Sequence, residues 1–138
     1  MIIITSLLTI IFLCLAILHL HWALGGTWGL ANTLPMKSDV QLAFTPPATL
    51  TLLVALALLS FAFFYFINPE KGNPRNWIFD YGRCIVPILF GLRVVGDFKY
   101  VGLFKKINNT PFAKMDNKVY LPVSALIATL GLIVKLFG

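Results

Sequence analysis

The sequence predicts an all-α integral membrane protein, a bundle of four transmembrane helices with no soluble domain. The chain has 138 residues, of which 59% are hydrophobic and only 12% are charged, and its mean hydropathy is +0.88. A soluble domain of this size leaves too much of its surface exposed to hide so many apolar side chains. The apolar residues also fall into four long runs, separated by short polar segments.

The first span is predicted at about residues 2–24. Residues 1–36 contain no charged side chain, and their apolar part is long enough to cross ~30 Å of hydrocarbon as a helix. The run lacks the basic start of a signal peptide and is too long for one, so we expect a retained helix. The stretches "GGTWG" and "NTLPMKSD" then predict a loop.

Three further spans are predicted at about residues 47–67, 77–98 and 119–137. Pro47 suits the first turn of the second, and Lys135 can extend from the end of the fourth to the membrane surface. Backbone groups in lipid are satisfied only in helices or closed barrels, and these runs are too long for barrel strands. The third run is unusual because it holds four charges: Asp80, Arg83, Arg93 and Asp97.

The distribution of basic residues predicts the orientation. Four spans place both termini on one side, and the opposite side holds 7 of the 11 basic residues. The positive-inside rule makes that side cytoplasmic and leaves both termini outside. We attribute the net charge of +6 to topology and anionic lipids rather than to nucleic acid, because no soluble basic module is present. The seven residues are Lys37, Arg93, Lys99, Lys105, Lys106, Lys114 and Lys118.

The charges of the third run form one stripe. At 100° per residue, Arg83, Phe90, Arg93 and Asp97 fall within an arc of about 80°, and charges inside membranes face a bundle interior or a wet cavity. The helix dipole disfavours an acid at the C-terminal end. We therefore expect Asp97 to bond to Arg93 or to an imidazole of the first helix, unless Gly96 ends the helix and Asp97 caps the turn beyond it.

Two histidines and two tryptophans mark the same membrane face. His19 and His21 point about 200° apart on a helix, so they cannot bind one metal ion together. We expect no metal and no cofactor, one histidine facing the bundle as a proton-responsive group, and the other facing lipid headgroups. Trp22 and Trp28 fit the aromatic belt at a membrane interface.

The loop "LFKKINNTPFAKMDNK" interleaves apolar residues with lysines, including Lys105 and Lys106. This pattern is typical of a segment lying among lipid headgroups. Within it, Asp116 or Asn117 is expected to cap the fourth helix, and capping is favoured over catalysis for Asp116.

The motifs "HLHWALGGTWG", "RVVGDFKYVGLFKK" and "TPFAKMDNKVYLP" together resemble a family of small bacterial four-span membrane proteins of unknown function. The likeness covers nearly the whole chain and implies a bacterial inner-membrane location with the same four-helix layout, but it assigns no activity. The positions that match the family pattern are His19, Trp22, Gly25, Gly26, Trp28, Arg93, Gly96, Asp97, Gly102, Thr110, Phe112 and Asp116.

We weigh two functions. The first is a pocket between helices one and three, enzymatic or not, for a lipid-like or small anionic ligand; its candidate residues are His19, His21, Trp22, Trp28, Arg93, Asp97 and Asp116. The alternative is a structural or accessory protein that associates with itself or another membrane protein through small residues. A transporter is less favoured, because four spans need oligomerisation to enclose a path. The small residues are Ala48, Ala55, Ala57, Ser60 and Ala62.

Overall fold

The computed structural model describes residues 1–38, 41–67 and 77–138. Within these residues a π-helical turn, Asp116–Tyr120, joins Pro111–Met115 and Leu121–Phe137 into one continuous helix, Pro111–Phe137. The loop "NPEKGNPRN" predicted between the second and third spans lies outside the described residues. The elements in chain order are α1 (Ile2–Ala23), a 3₁₀ turn (Leu30–Asn32), β1 (Met36–Ser38) antiparallel to β2 (Gln41–Leu42), α2 (Ala48–Phe66), α3 (Trp77–Val95), α4 (Pro111–Met115) and α5 (Leu121–Phe137).

The predicted all-α architecture is confirmed. In the part of the chain that the structure describes, three helices are long and apolar enough to cross a membrane: α1 with 22 residues, α2 with 19, and Pro111–Phe137 with 27. These helices, together with the hydrophobic composition, identify a membrane protein. The predicted third span corresponds to α3, a 19-residue helix whose charged residues lower its hydropathy.

Two predicted helix boundaries are corrected. The last helix begins at Pro111 rather than near residue 119, because the Thr110 hydroxyl accepts a hydrogen bond from the Ala113 N–H at 3.1 Å and Pro111 fits the first turn. The prediction that Asp116 or Asn117 caps this helix is therefore wrong. The third helix ends at Val95 rather than near residue 98, because Gly96 follows with a left-handed φ of +82°.

The long helices associate as two pairs. Helix α1 packs along α2, α3 packs along α5, and the pairs join through α2 with α3 and α1 with α5. This order puts α1 and α3 on a diagonal of the bundle. At the centre, the buried Phe12 ring lies 5.6 Å from Phe61, 5.9 Å from Tyr65 and 5.6 Å from Phe90, measured between ring centroids. Aromatic contacts of this kind add about 0.5–1.5 kcal/mol each beyond the area that they bury.

The inward position predicted for Arg83 is confirmed. Its guanidinium donates to the Ile67 carbonyl at 3.0 Å and to the Phe64 carbonyl at 3.4 Å. These carbonyls belong to the C-terminal end of α2, where the helix dipole favours a cation and the last carbonyls lack intrahelical partners. Arg83 therefore fastens α3 to α2. Nearby, the Tyr65 side chain is 1% exposed, and its hydroxyl has no hydrogen-bond partner within the described residues.

Candidate functional site

Asp97 caps the turn that follows α3. Its Oδ1 accepts hydrogen bonds from the backbone N–H groups of Lys99, Tyr100 and Val101 at 2.9, 2.7 and 2.9 Å. Partial burial raises the pKa of the Asp97 carboxyl, but the three N–H bonds outweigh it and hold the pKa below its usual range. The predicted bond to Arg93 or to an imidazole of the first helix is wrong. The alternative, in which Gly96 ends the helix and Asp97 caps the turn beyond it, is confirmed.

Two glycines in the left-handed region, Gly96 and Gly102, let this turn close on itself. The Asp97 N–H donates to the Val101 carbonyl at 3.2 Å, and the Leu103 N–H donates to the Val94 carbonyl at 2.8 Å. A Cβ placed on Gly96 would lie 1.8 Å from the Val101 oxygen. Gly96 thus provides both the left-handed backbone and the close approach that this turn needs.

Asp116 is the centre of a buried charge network. Its side chain is 0% exposed and accepts hydrogen bonds from Arg93 Nη2 at 2.6 Å, Lys105 Nζ at 2.9 Å and the Gly102 N–H at 3.1 Å. Lys105 Nζ also donates to the Gly102 carbonyl at 3.0 Å and to the side-chain oxygen of Asn117. A buried carboxylate is tolerated only when cations and N–H groups replace its lost water, and here they do.

This network changes two predictions. Lys105 was expected among lipid headgroups, but it is 6% exposed and points inward. Asp116 was expected at a helix cap, but it bridges α3, the loop of residues 96–110 and the last helix. A signal for this role exists in the sequence, because Asp116 is the only acidic residue after Asp97 and lies among several lysines.

A π-helical turn leads from Asp116 to Tyr120, which bonds to the first half of the chain. Asp116 begins the π-helical turn, a widened form of helix that is common at functional positions. At the end of that turn, the Tyr120 hydroxyl donates to the Asn32 carbonyl at 3.2 Å. The connection between α1 and α2 therefore lies against the same end of the bundle as the network. Arg93 Nη1 is buried there without a hydrogen-bond partner among the described residues.

A cleft of about 400 Å³ lies between the end of α1 and the start of α2, beside the connection that joins them. Its lining is mostly apolar, with three threonines and one histidine supplying the polar side chains. The lining residues are His19, Trp22, Leu30, Thr33, Leu34, Thr45, Pro46, Ala48, Leu50, Thr51 and Val54.

His19 contributes an imidazole to this cleft. Its Nδ1 lies 2.8 Å from the Leu15 carbonyl oxygen. A carbonyl only accepts hydrogen bonds, so we assign the proton to Nδ1, which leaves Nε2 with a free lone pair. The His19 ring lies 5.0 Å from the Trp22 ring in an edge-to-face arrangement, and Trp22 Nε1 donates to the Trp28 carbonyl at 2.8 Å. The imidazole is thus held in place with one nitrogen available.

The structure divides the predicted site residues into two groups. His19 and Trp22 line the cleft, whereas Arg93 and Asp116 belong to the buried network and Asp97 caps its turn. None of these last three lines the cleft, which lies between α1 and α2, so the pocket predicted between helices one and three stays a prediction. His21 is exposed and its ring covers Gly26, while Trp28 is 75% exposed. Sequence reasoning missed the cleft threonines and Lys105.

These features define a small helical membrane protein with a charged network and a separate apolar cleft at one end of its bundle. The chain belongs to the family described as "Protein of unknown function (DUF3995)", whose model matches residues 12–131. The predicted membership of a family of unknown function is thereby confirmed. No curated protein and no solved structure matches the chain.

Proposed function

We propose that this protein binds an amphipathic, lipid-like ligand in the cleft between α1 and α2. The observation that carries the proposal is the combination of a cleft of about 400 Å³ with one preoriented imidazole. Small-molecule sites are typically concave and mostly apolar, with a few fixed polar groups that orient the ligand. The cleft has this composition.

The lining of the cleft suits a ligand with two chemically different parts. Leu34, Leu50 and Val54 offer an apolar wall for a hydrocarbon chain, and His19 Nε2 can bond to an acidic or hydroxyl headgroup. A protonated imidazole would add a charge-assisted bond to a carboxylate or phosphate. Arg93, a candidate residue of the predicted pocket, already bonds to Asp116.

We further propose that α3 also spans the membrane, which gives four spans in all, and that this membrane is a bacterial inner membrane. Its 19 residues reach about 28 Å at 1.5 Å per residue, close to the hydrocarbon thickness. Its charges have partners that make this possible: Asp80 lies 3.9 Å from Lys135, Arg83 bonds to α2 carbonyls, and Arg93 bonds to Asp116. An intramembrane charge is tolerated when it is paired within the bundle.

The proposed orientation puts both termini outside the cytoplasm and the lysine-rich loop of residues 96–110 inside. A reporter enzyme that is active only in the periplasm, fused after Gly138, should be active. A second fusion within the loop, after Asn109, should be silent. Activity of the loop fusion with silence of the C-terminal fusion would reverse the orientation.

The alternative of a structural protein that associates through small residues has less support. Ala55 and Ala62 are 1% and 3% exposed, so they are already covered within the chain, whereas Ala57 is exposed and Ala48 lines the cleft. Ser60 is exposed, but its hydroxyl bonds to the Leu56 carbonyl of its own helix. Cross-linking in native membranes tests the alternative, since it requires a dimer or a heteromeric product.

The ligand proposal is tested by fluorescence quenching. In a chain that keeps Trp22 but carries Trp28→Phe and Trp77→Phe, a fatty acid with bromine on its chain should quench Trp22 saturably, and unlabelled oleate should reverse the quenching. His19→Gln should lower the affinity for the brominated fatty acid, measured from the saturation curve, at least tenfold. His21→Gln is the matched control and should bind like the parent, because His21 lies outside the cleft. Non-saturable quenching that is equal in all three proteins would contradict the proposal.

A further inference from the structure

Three large apolar side chains of the loop between α3 and α4 point away from the protein. Phe98, Leu103 and Phe104 are 57, 59 and 60% exposed, and the rings of Phe98 and Phe104 stack with their centroids 6.0 Å apart. The exposed Lys99 and Lys106 lie beside them in the chain. We refer to these five residues as the loop patch.

The backbone holds the loop patch in this exposed form. Phe98 has a φ of +62°, a conformation that is unfavourable for a residue with a bulky side chain. The three N–H bonds to Asp97 span this segment and maintain it. Beneath the patch, Lys105 is bonded to Asp116, so its neighbour Phe104 is held outward. The rings are therefore presented by a constrained turn, although they would be better shielded from water in an apolar environment.

The charge around the loop patch is positive. Lys99 and Lys106 are exposed, whereas the Asp97 carboxylate is already bonded to backbone N–H groups and Asp116 is fully buried and paired with two cations. The patch follows α3 directly, at the end where that helix leaves the proposed membrane. Exposed aromatic rings flanked by lysines at this depth suit the boundary between acyl chains and anionic headgroups.

We propose that the loop patch inserts into the anionic headgroup region of the cytoplasmic leaflet, with Phe98, Leu103 and Phe104 reaching the acyl boundary and Lys99 and Lys106 binding lipid phosphates. The partner is thus the bilayer surface itself rather than the ligand of the α1–α2 cleft. The inference rests on two parts of the proposed function, namely that α3 spans the membrane and that the loop of residues 96–110 lies on the cytoplasmic side.

The test uses single tryptophans in a chain whose Trp22, Trp28 and Trp77 are changed to Phe. One protein carries Phe104→Trp in the loop patch, and the other carries Leu89→Trp on the exposed side of α3. Each is placed in lipid nanodiscs that contain brominated phosphatidylcholine, with bromine near the headgroup or near the bilayer centre. The measurements are repeated with part of the neutral lipid replaced by phosphatidylglycerol, and with Lys99→Gln and Lys106→Gln added to the Phe104→Trp protein.

We expect shallow bromine to quench the tryptophan at position 104 at least twofold more than deep bromine. Phosphatidylglycerol should increase that quenching, and the paired lysine substitutions should abolish the increase. Quenching at position 89 by deep bromine with none at position 104 would overturn the loop proposal while leaving α3 as a span. Quenching at position 104 without any dependence on phosphatidylglycerol would overturn the anionic part. Absence of quenching at both positions would overturn the span and the loop proposal together.

Discussion

The charged network around Asp116 and the cleft around His19 lie at one end of the same bundle but differ in their free hydrogen-bonding capacity. Both oxygens of Asp116 are bonded, and Lys105 Nζ donates three hydrogen bonds, to Asp116, Gly102 and Asn117. Asp116 and Lys105 are thus fully bonded, and Arg93 Nη1 is the buried group of the network that lacks a partner among the described residues. In the cleft, His19 uses one ring nitrogen to bond to its own helix, and the other ring nitrogen has no partner in the same part of the chain.

The difference shows how charged residues in an apolar chain should be interpreted. Charges in a membrane protein often mark function, because burying them is costly. Here the most conspicuous charges of the third helix join α2, α3 and the last helix, through Arg83 and through Arg93 with Asp116. The less conspicuous residue, a histidine on an uncharged helix, remains available for binding.

The largest expected effect comes from breaking the network. Asp116→Asn removes the charge that compensates Lys105, whose side chain is 1% exposed, and so leaves a cation buried without a counterion. Breaking a buried pair in this way costs about 3–5 kcal/mol of the free energy of unfolding. The measurement is reversible unfolding in mixed micelles. Lys114→Gln, an exposed position in the same helix, is the control and should stay within about 0.5 kcal/mol of the parent.

The turn that carries Asp97 should be the next most sensitive region. Gly96→Ala forces a left-handed alanine, at a cost of about 1–2 kcal/mol, and adds a clash with the Val101 oxygen. Gly91→Ala is the matched substitution, because a Cβ at that position of α3 meets open space. Unfolding curves should show a clear loss for Gly96→Ala and no loss for Gly91→Ala. Equal stability of the two variants would mean that the turn is not closed as described.

The Asp97 cap predicts a pH dependence. Because the folded-state pKa of Asp97 lies below its usual value, its stabilising contribution is present above the unfolded-state pKa and is lost as the pH falls through the folded-state pKa. The melting temperature should therefore decline below about pH 4, the usual range of an aspartate pKa. Asp97→Asn carries no charge, so it should lose this contribution already at neutral pH and show a correspondingly smaller decline in acid. An unchanged acid decline in Asp97→Asn would assign it to another group.

The smallest expected changes in stability are those at two tyrosines, Tyr65 and Tyr120. Tyr65→Phe removes a buried hydroxyl that has no partner in the described part of the chain, so the protein should keep its stability or gain up to about 1 kcal/mol. Tyr120→Phe removes the bond to the Asn32 carbonyl and should cost about 0.5–1.5 kcal/mol. Thermal unfolding of both variants checks the difference in sign. A clear loss in Tyr65→Phe would indicate a partner for that hydroxyl.

Much of the fold could be predicted because hydropathy alone determines it. The bounds of α1 and α2 follow from long uncharged runs, and the Thr110–Pro111 start of the last helix has a recognisable capping sequence. The hydrogen-bond partners of Asp116 could not be predicted in this way, since they depend on how the loop of residues 96–110 folds around Gly102. The cleft likewise needs the connection between α1 and α2 to lie beside His19, which no local pattern specifies.

We propose that ligand binding depends on the cleft around His19, whereas the stability of the fold depends on the network around Asp116. The most direct measurement is the melting temperature of the parent, His19→Gln and Asp116→Asn in detergent, each with and without oleate. We predict that His19→Gln melts like the parent but loses the rise caused by oleate, and that Asp116→Asn melts lower but keeps that rise. The opposite pattern, with oleate acting on His19→Gln but not on folded Asp116→Asn, would contradict the account.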